Sequence, residues 1–390
     1  MRSGDRTGPA DGDRDGPGGI REALPGDGRG ALRPGLARLD GVLRPTRGGD
    51  PDPGALPGGG QRASGGGCPH DGPVRAAGGA GGASAPGFDR PVPRDGYAWW
   101  YADGWSDDGR FGIVLIAFIG SVFSPYYVRA RRSGAADPQN HVALNVALYG
   151  AAHRRWAMTE RGRAALARDH RSLRIGASRV TRDGDDTVFE IDEIGAPLPR
   201  RVRGSVRLRP DIPAGPRFAL DSAGRHAWQA LAPRARIEVD LAIPALRWSG
   251  TGYLDTNDGQ APLESDFISW EWGRAATGDG AAVVYDVLQR DGTRSVLAQR
   301  FGPDGNRAFE PPPAFQAPAT ALWRIPRPAR GEGAGRITTI EDTPFYARST
   351  LRTVWDGRPV EAMHESLRLD RFVTPIVQAM LPFRMPRRIF

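Results

Sequence analysis

Lysine is absent from this chain of 390 residues, so all 53 of its basic side chains are arginines. The formal net charge is +8, yet the arginines alternate with acids along most of the sequence. A nucleic-acid surface would mass such charge on one face with aromatics between, so the patterning argues against that class of partner. A total lack of lysine reads instead as the compositional bias of a GC-rich genome. Cysteine is nearly absent too. The single thiol, Cys68, leaves no disulfide framework and no cysteine-based metal site, which fits a reducing compartment. The N-terminus lacks the apolar core of a signal peptide, which argues against secretion. No long hydrophobic run occurs either: Ile113–Ile119, continuing through Gly120 to Phe123, falls well short of the ~20 residues that cross a bilayer and reads as a buried strand pair.

Aromatics are missing from the first quarter. Before Tyr97 the only one is Phe88, and the segment consists of Gly, Pro, Arg and Asp in runs such as Pro57-Gly-Gly-Gly60. Such a stretch buries too little apolar area to offset its conformational entropy, so residues 1–95 are expected to be a disordered tail. All ten tryptophans follow it, which concentrates the foldable sequence in residues 96–390.

What is present there is β-sequence. Aromatic and β-branched runs are punctuated by Asp-Gly turns at Gly278-Asp-Gly280, Asp291-Gly292, Asp304-Gly305 and Asp356-Gly357. Strand-like runs cover 188–194, 202–209, 237–243, 281–289, 295–301, 349–355 and 360–369, with Gly204 marking a bend or bulge. Helix is expected only around Arg161–Asp169 and near the C-terminus, where Thr374 and Pro375 form a start signal. Many short strands with regular turns point to an all-β sandwich or barrel, and the length suggests two packed units. The C-terminal helix is amphipathic and ends in Arg384, Arg387 and Arg388. It suits either docking on the barrel with a solvated arginine tail or rest on an anionic membrane surface.

One polar cluster stands among aromatics: His226-Ala-Trp228, Gly252-Tyr253-Leu-Asp255-Thr-Asn257 and Trp270-Glu-Trp272-Gly-Arg274. In a strand alternate side chains share a face, so His226 with Trp228, and Tyr253 with Asp255 and Asn257, can each point into one interior. Burial raises a carboxyl pKa and makes Asp255 a possible proton donor. Taken alone, however, Asp255-Thr-Asn257-Asp258-Gly259 is good turn chemistry, and a lone histidine is more often structural than catalytic. Trp270 and Trp272 share a strand face and read as core packing or as the lining of an apolar channel. A calcium loop is set aside because the acidic spacing is wrong, and no nucleophile elbow, Walker loop or dinucleotide fingerprint occurs.

The segments Trp99-Trp100-Tyr101-Ala-Asp103-Gly104, Ser124-Pro125-Tyr126-Tyr127, Asn140-His141-Val-Ala-Leu-Asn145, Arg155-Trp156-Ala-Met-Thr159-Glu160-Arg161, Gly252-Tyr253-Leu-Asp255-Thr-Asn257, Trp270-Glu-Trp272 and Leu381-Pro-Phe-Arg-Met-Pro386 occur in this order. From about Tyr97 to the C-terminus the chain thereby resembles the acyclic carotenoid 1,2-hydratases of purple photosynthetic bacteria. The tail lies outside that resemblance. It implies two lipocalin-like β-barrel units with few short helices, here expected at 96–262, carrying the site, and 263–390. It implies addition of water across the C1=C2 bond of neurosporene or lycopene, with Asp255 as proton donor beside Tyr253 and with His226 and Trp228 completing the site. Asn257, Trp270 and Trp272 are expected to contact substrate, and His226 or Asn257 to hold the water. The expected partners are an acyclic carotenoid and water, with no cofactor, metal or nucleic acid. The expected location is cytoplasmic, at the periphery of the photosynthetic inner membrane. An extended apolar tunnel is also expected, since such a substrate offers no charge to grip.

Overall fold

The computed structural model describes residues 72–73 and 85–388, apart from 135, 151, 152 and 334. The expected disordered tail lies mostly outside the described residues. Its last part is packed: Phe88 is buried on Trp100 with ring centroids 4.8 Å apart, and the Arg168 guanidinium donates to the carbonyls of Phe88 and Arg90.

Two curled antiparallel sheets make up the body. The first contains, in chain order, β1 (Tyr97–Ser106), β2 (Gly112–Ile119), β3 (Val142–Tyr149), β4 (Ser172–Ile175), β5 (Ser178–Asp183), β6 (Asp186–Ile194), β7 (Arg201–Pro210), β8 (His226–Ile243) and β9 (Leu246–Gly259), with the spatial order β3-β2-β1-β9-β8-β7-β6-β5-β4. The second contains β10 (Phe267–Thr277), β11 (Gly280–Gln289), β12 (Arg294–Gly302), β13 (Arg336–Asp342), β14 (Tyr346–Trp355) and β15 (Arg358–Arg368), in the order β12-β11-β10-β15-β14-β13. This is the all-β architecture that the turn-punctuated strands imply, in the lipocalin-like form that the resemblance implies. The short strand Arg387–Arg388 returns to the first sheet, beside Glu160–Arg161.

The central strands of the first sheet are buried on both faces, which is why they read as unbroken apolar runs. Ala98, Trp100, Leu115, Val146, Leu208 and Ile237 pack with Phe88 inside the curl. Residues of opposite parity, among them Tyr97, Tyr101, Phe118, Trp228 and Tyr253, join Trp270, Trp272 and Tyr285 of the second sheet in one core. At Gly204 the β7–β8 register shifts with φ at +148°, and a Cβ there would meet the Asp240 carbonyl at 2.3 Å, so the position requires glycine. The expected bulge is present.

Two local expectations are corrected. The run 113–123 is one strand, not a strand pair. The chain turns at Gly120, where φ is +69°, and enters helix α1 (Pro125–Arg132). Ser124 caps that helix by accepting from the Tyr126 and Tyr127 amides, with Pro125 in the first turn, a start signal that lay unused in the sequence. Around 161–169 there is only a single 3-10 turn, Arg163–Ala165, followed by strand Leu166–Arg168. Two short turns of helix, α2 (Leu263–Asp266) and α3 (Leu369–Phe372), precede α4 (Pro375–Arg384), which starts where Thr374-Pro375 signals.

Candidate active site

Asp255 lies in the middle of β9, not in a turn, and its side chain is 2 % exposed. Tyr253, Asp255 and Asn257 share its face, as strand periodicity requires. Opposite them on β8, Trp228 pairs with Asn257 and Ala230 with Asp255, so a methyl group stands where a larger side chain would block the indole from the carboxyl. Trp228 Nε1 and Tyr253 Oη each donate to Asp255 Oδ2 at 2.8 Å. Oδ1 is buried without a partner. Burial pushes the carboxyl up to about 7, against the two hydrogen bonds, which favour the ionised form. The shift brings the carboxyl toward neutrality, and Oδ1, which makes no hydrogen bond, is the oxygen open to carry a proton.

The surroundings are aromatic. Tyr285 on β11 lies 5.2 Å from Trp228, and Trp272 on β10 lies 5.5 Å from Tyr253 and 5.2 Å from Tyr101, between ring centroids. These rings come from both sheets, so the Asp255 face lies between the sheets. The motif strands β1 and β10 are clamped together by the buried pair Asp103–Arg274, and the Arg274 guanidinium also sits 5.4 Å from the Tyr253 ring.

Asn257 is buried with Nδ2 unpartnered. Burial raises the Tyr285 hydroxyl well above its usual range, reinforced by Asp255 and opposed by the Asn257 amide, which places this tyrosine beside both residues. Strand periodicity cannot find Tyr285, because it arrives from the other sheet.

His226 is not part of the Asp255 cluster. Its Nδ1 is 2.9 Å from Tyr97 Oη, its Nε2 is 2.6 Å from Asp266 Oδ2, and its backbone amide donates to Asp221. Burial, outweighing the Asp266 hydrogen bond, lowers its pKa. Gly259, directly across from His226, makes the arrangement possible, since a Cβ there would sit 2.3 Å from the Tyr97 ring and 2.7 Å from His226 Nδ1. The expected cluster thus divides into a Trp228–Tyr253–Asp255 group that meets and a His226–Tyr97–Asp266 group two residues along the strands.

An apolar cavity of about 360 Å³ lies against this face, lined by the buried or half-buried Trp99, Phe118, Trp270, Phe345 and Leu367 and, at its border, by the half-buried Trp323 and Met380 and the exposed Arg384. Its polar corner is Glu365, whose Oε1 accepts from Tyr101 Oη at 3.0 Å and from Arg348 Nε at 2.9 Å. Asp255 does not line the cavity. Tyr101 and Trp270 stand between, lining it on one side and packing on Tyr253 and Tyr285 respectively on the other. Trp270 lines the cavity, whereas Trp272 is packed behind Tyr101.

The chain is similar to known proteins. The chain is 51 % identical to the acyclic carotenoid 1,2-hydratase of Thiocapsa roseopersicina over 94 % of this chain and 92 % of that protein. It is 51 % identical to that of Rubrivivax gelatinosus over 100 % of this chain and 97 % of the relative. The second alignment carries the likeness into the tail, beyond the limit near Tyr97 drawn from motifs. Among solved structures, a Nitrosomonas europaea protein named for AttH superposes with a TM-score of 0.50 at 16 % identity, over 73 % of this chain and 98 % of that one, a likeness of fold alone. Residues 115–390 match the family model for the carotenoid hydratase CrtC, and with both full-length relatives this makes the chain a member of the carotenoid hydratase family.

Proposed function

We propose that this enzyme adds water across the terminal C1=C2 bond of acyclic carotenoids such as lycopene and neurosporene, with Asp255 as the proton donor. One observation carries the reading: a buried carboxyl near pKa 7 whose Oδ2 is held by Trp228 and Tyr253 while Oδ1 is left free. The Oδ1 proton passes to C2, and the cation forms at the tertiary C1. The carboxylate left behind keeps its two hydrogen bonds, which strengthen as it becomes charged. The faces of Trp228, Tyr253 and Tyr285 stabilise the cation, by roughly 0.5–2 kcal/mol each in a desolvated site. A water on the Asn257 amide, beside the Tyr285 hydroxyl, attacks C1, and its surplus proton returns to Asp255, so the acid is restored. His226 has both ring nitrogens engaged, so in this account it positions Tyr97 and the end of β9 and does not hold the water.

Substrate reaches Asp255 from the apolar cavity when the Tyr101 and Trp270 rings turn aside. The Tyr101 hydroxyl lies 2.9 Å from Asp103 Oδ2 and 3.0 Å from Glu365 Oε1 and gives its one proton to either, so the ring keeps an acceptor as it moves. The chain carries out this work at a membrane surface, where such a substrate dissolves. Incubating the protein with lycopene in detergent and heavy-oxygen water tests the reading: the polar product should carry one solvent oxygen per hydrated end. A carrier would return unaltered lycopene, and an isomerase or cyclase an unlabelled product. Either result would refute the proposal.

A further inference from the structure

We infer that the cavity border formed by α4 and the loop 321–324 is the surface on which the protein sits on an anionic lipid bilayer. This rests on the reading that the substrate is drawn from membrane, and it names the surface. Among the described residues the three most exposed large hydrophobic side chains are Ile376 at 74 %, Phe383 at 73 % and Leu322 at 73 %. Ordinary surfaces scatter such residues singly. Here Ile376 and Phe383 belong to α4, which also supplies Met380, Leu381 and Arg384 to the cavity wall, and Leu322 precedes the wall residue Trp323.

The two segments are joined and stiff. Arg371 at the end of α3 donates to the Trp323 carbonyl at 2.7 Å and to the Arg324 carbonyl at 3.1 Å. Asp342 accepts from Thr320 Oγ1 and from the Leu322 amide, and Arg324 takes φ +53°, a conformation uncommon for any residue but glycine. The loop therefore presents Leu322 on a fixed tip instead of burying it.

Charge selects the occupant. Arg324 and Arg384 are exposed beside the apolar residues. Nearby acids are spent internally, Glu341 on Arg348, Asp370 on Arg368 and Asp342 on the loop amides. A two-fold dimer through this face would set arginine patches against each other. An anionic lipid surface meets both the charge and the apolar tips, with Trp323 at headgroup depth. The cavity then opens toward the acyl chains, so an apolar substrate passes from bilayer to cavity without crossing water.

The test uses the full chain and sedimentation with vesicles of phosphatidylcholine alone or with phosphatidylglycerol. Wild type should bind the anionic vesicles, more weakly as salt rises. The triple variant Leu322→Ser, Ile376→Ser, Phe383→Ser should lose about 100-fold in affinity, and Arg324→Glu about tenfold. The control Leu198→Ser, 62 % exposed on the loop after β6, should bind as wild type. Lycopene in detergent should be hydrated equally by wild type and triple variant, with only vesicle-borne lycopene spared by the variant. Wild-type vesicle binding in the triple variant, or equal loss in Leu198→Ser, would overturn the inference. Failure of wild type to hydrate lycopene in detergent would instead count against the proposed activity.

Discussion

The indole of Trp228 and the hydroxyl of Tyr253 donate to the same oxygen of Asp255, leaving the other oxygen without a partner in a buried site. Both bonds favour the carboxylate and oppose the burial that raises the acid to about 7, so the two donors and the apolar surroundings together set where it titrates.

Removing either donor should move the titration of the acid. Trp228→Phe and Tyr253→Phe keep a ring and lose one hydrogen bond to a charged acceptor, worth about 1.5–3 kcal/mol. Each should raise the alkaline limb of turnover against pH by about one unit or more and slow the protonation step. An unmoved limb in both variants would detach the donors from the acid.

Asp255 also ties stability to pH. Its folded pKa of about 7 lies above the ordinary 3.8, so the folded state holds a proton that the unfolded chain has lost. Below about pH 4 both states are protonated and this contribution is fully present. Between about 4 and 7 stability falls by up to ~1.4 kcal/mol per unit, and above about 7 the slope from this group vanishes. Unfolding free energies measured across that window should decline in wild type, and the difference between wild type and Asp255→Asn should carry the slope.

His226 should behave as structure. His226→Ala leaves the buried Tyr97 hydroxyl without its imidazole partner and takes one partner from Asp266, at a cost of about 2–4 kcal/mol. Thermal unfolding should report that loss, while the pH limb of the remaining folded enzyme stays in place. A limb that moves with His226 would restore it to proton transfer.

Arg274 and Asp103 clamp β10 to β1 with both side chains buried. Arg274→Met strands the Asp103 charge and should cost about 3–5 kcal/mol in denaturant unfolding. The double change Asp103→Leu with Arg274→Met should recover most of it.

Much of this was legible in the sequence for physical reasons. Period-two alternation along β9 grouped Tyr253, Asp255 and Asn257 correctly, and Asp-Gly turns located most strands of the second sheet. The turn reading of Asp255–Gly259 failed because strand pairing on both sides, with β8 and β1, overrides local turn preference. The division of the cluster was hidden, since His226 and Trp228 share a face but their partners, Asp266 and Asp255, lie on different segments. Tyr285, Tyr101 and Glu365 were missed as site neighbours because they meet only when two sheets close on each other. No local pattern records that distance.

The most direct test of the central claim is the turnover of Asp255→Asn, measured as hydroxylated product from saturating lycopene beside lycopene binding by the same sample. Asparagine keeps the shape and an oxygen for Trp228 and Tyr253 but has no acidic proton. Unchanged binding with turnover down by at least ~100-fold is the expected result. Turnover within a few-fold of wild type would contradict Asp255 as the proton donor.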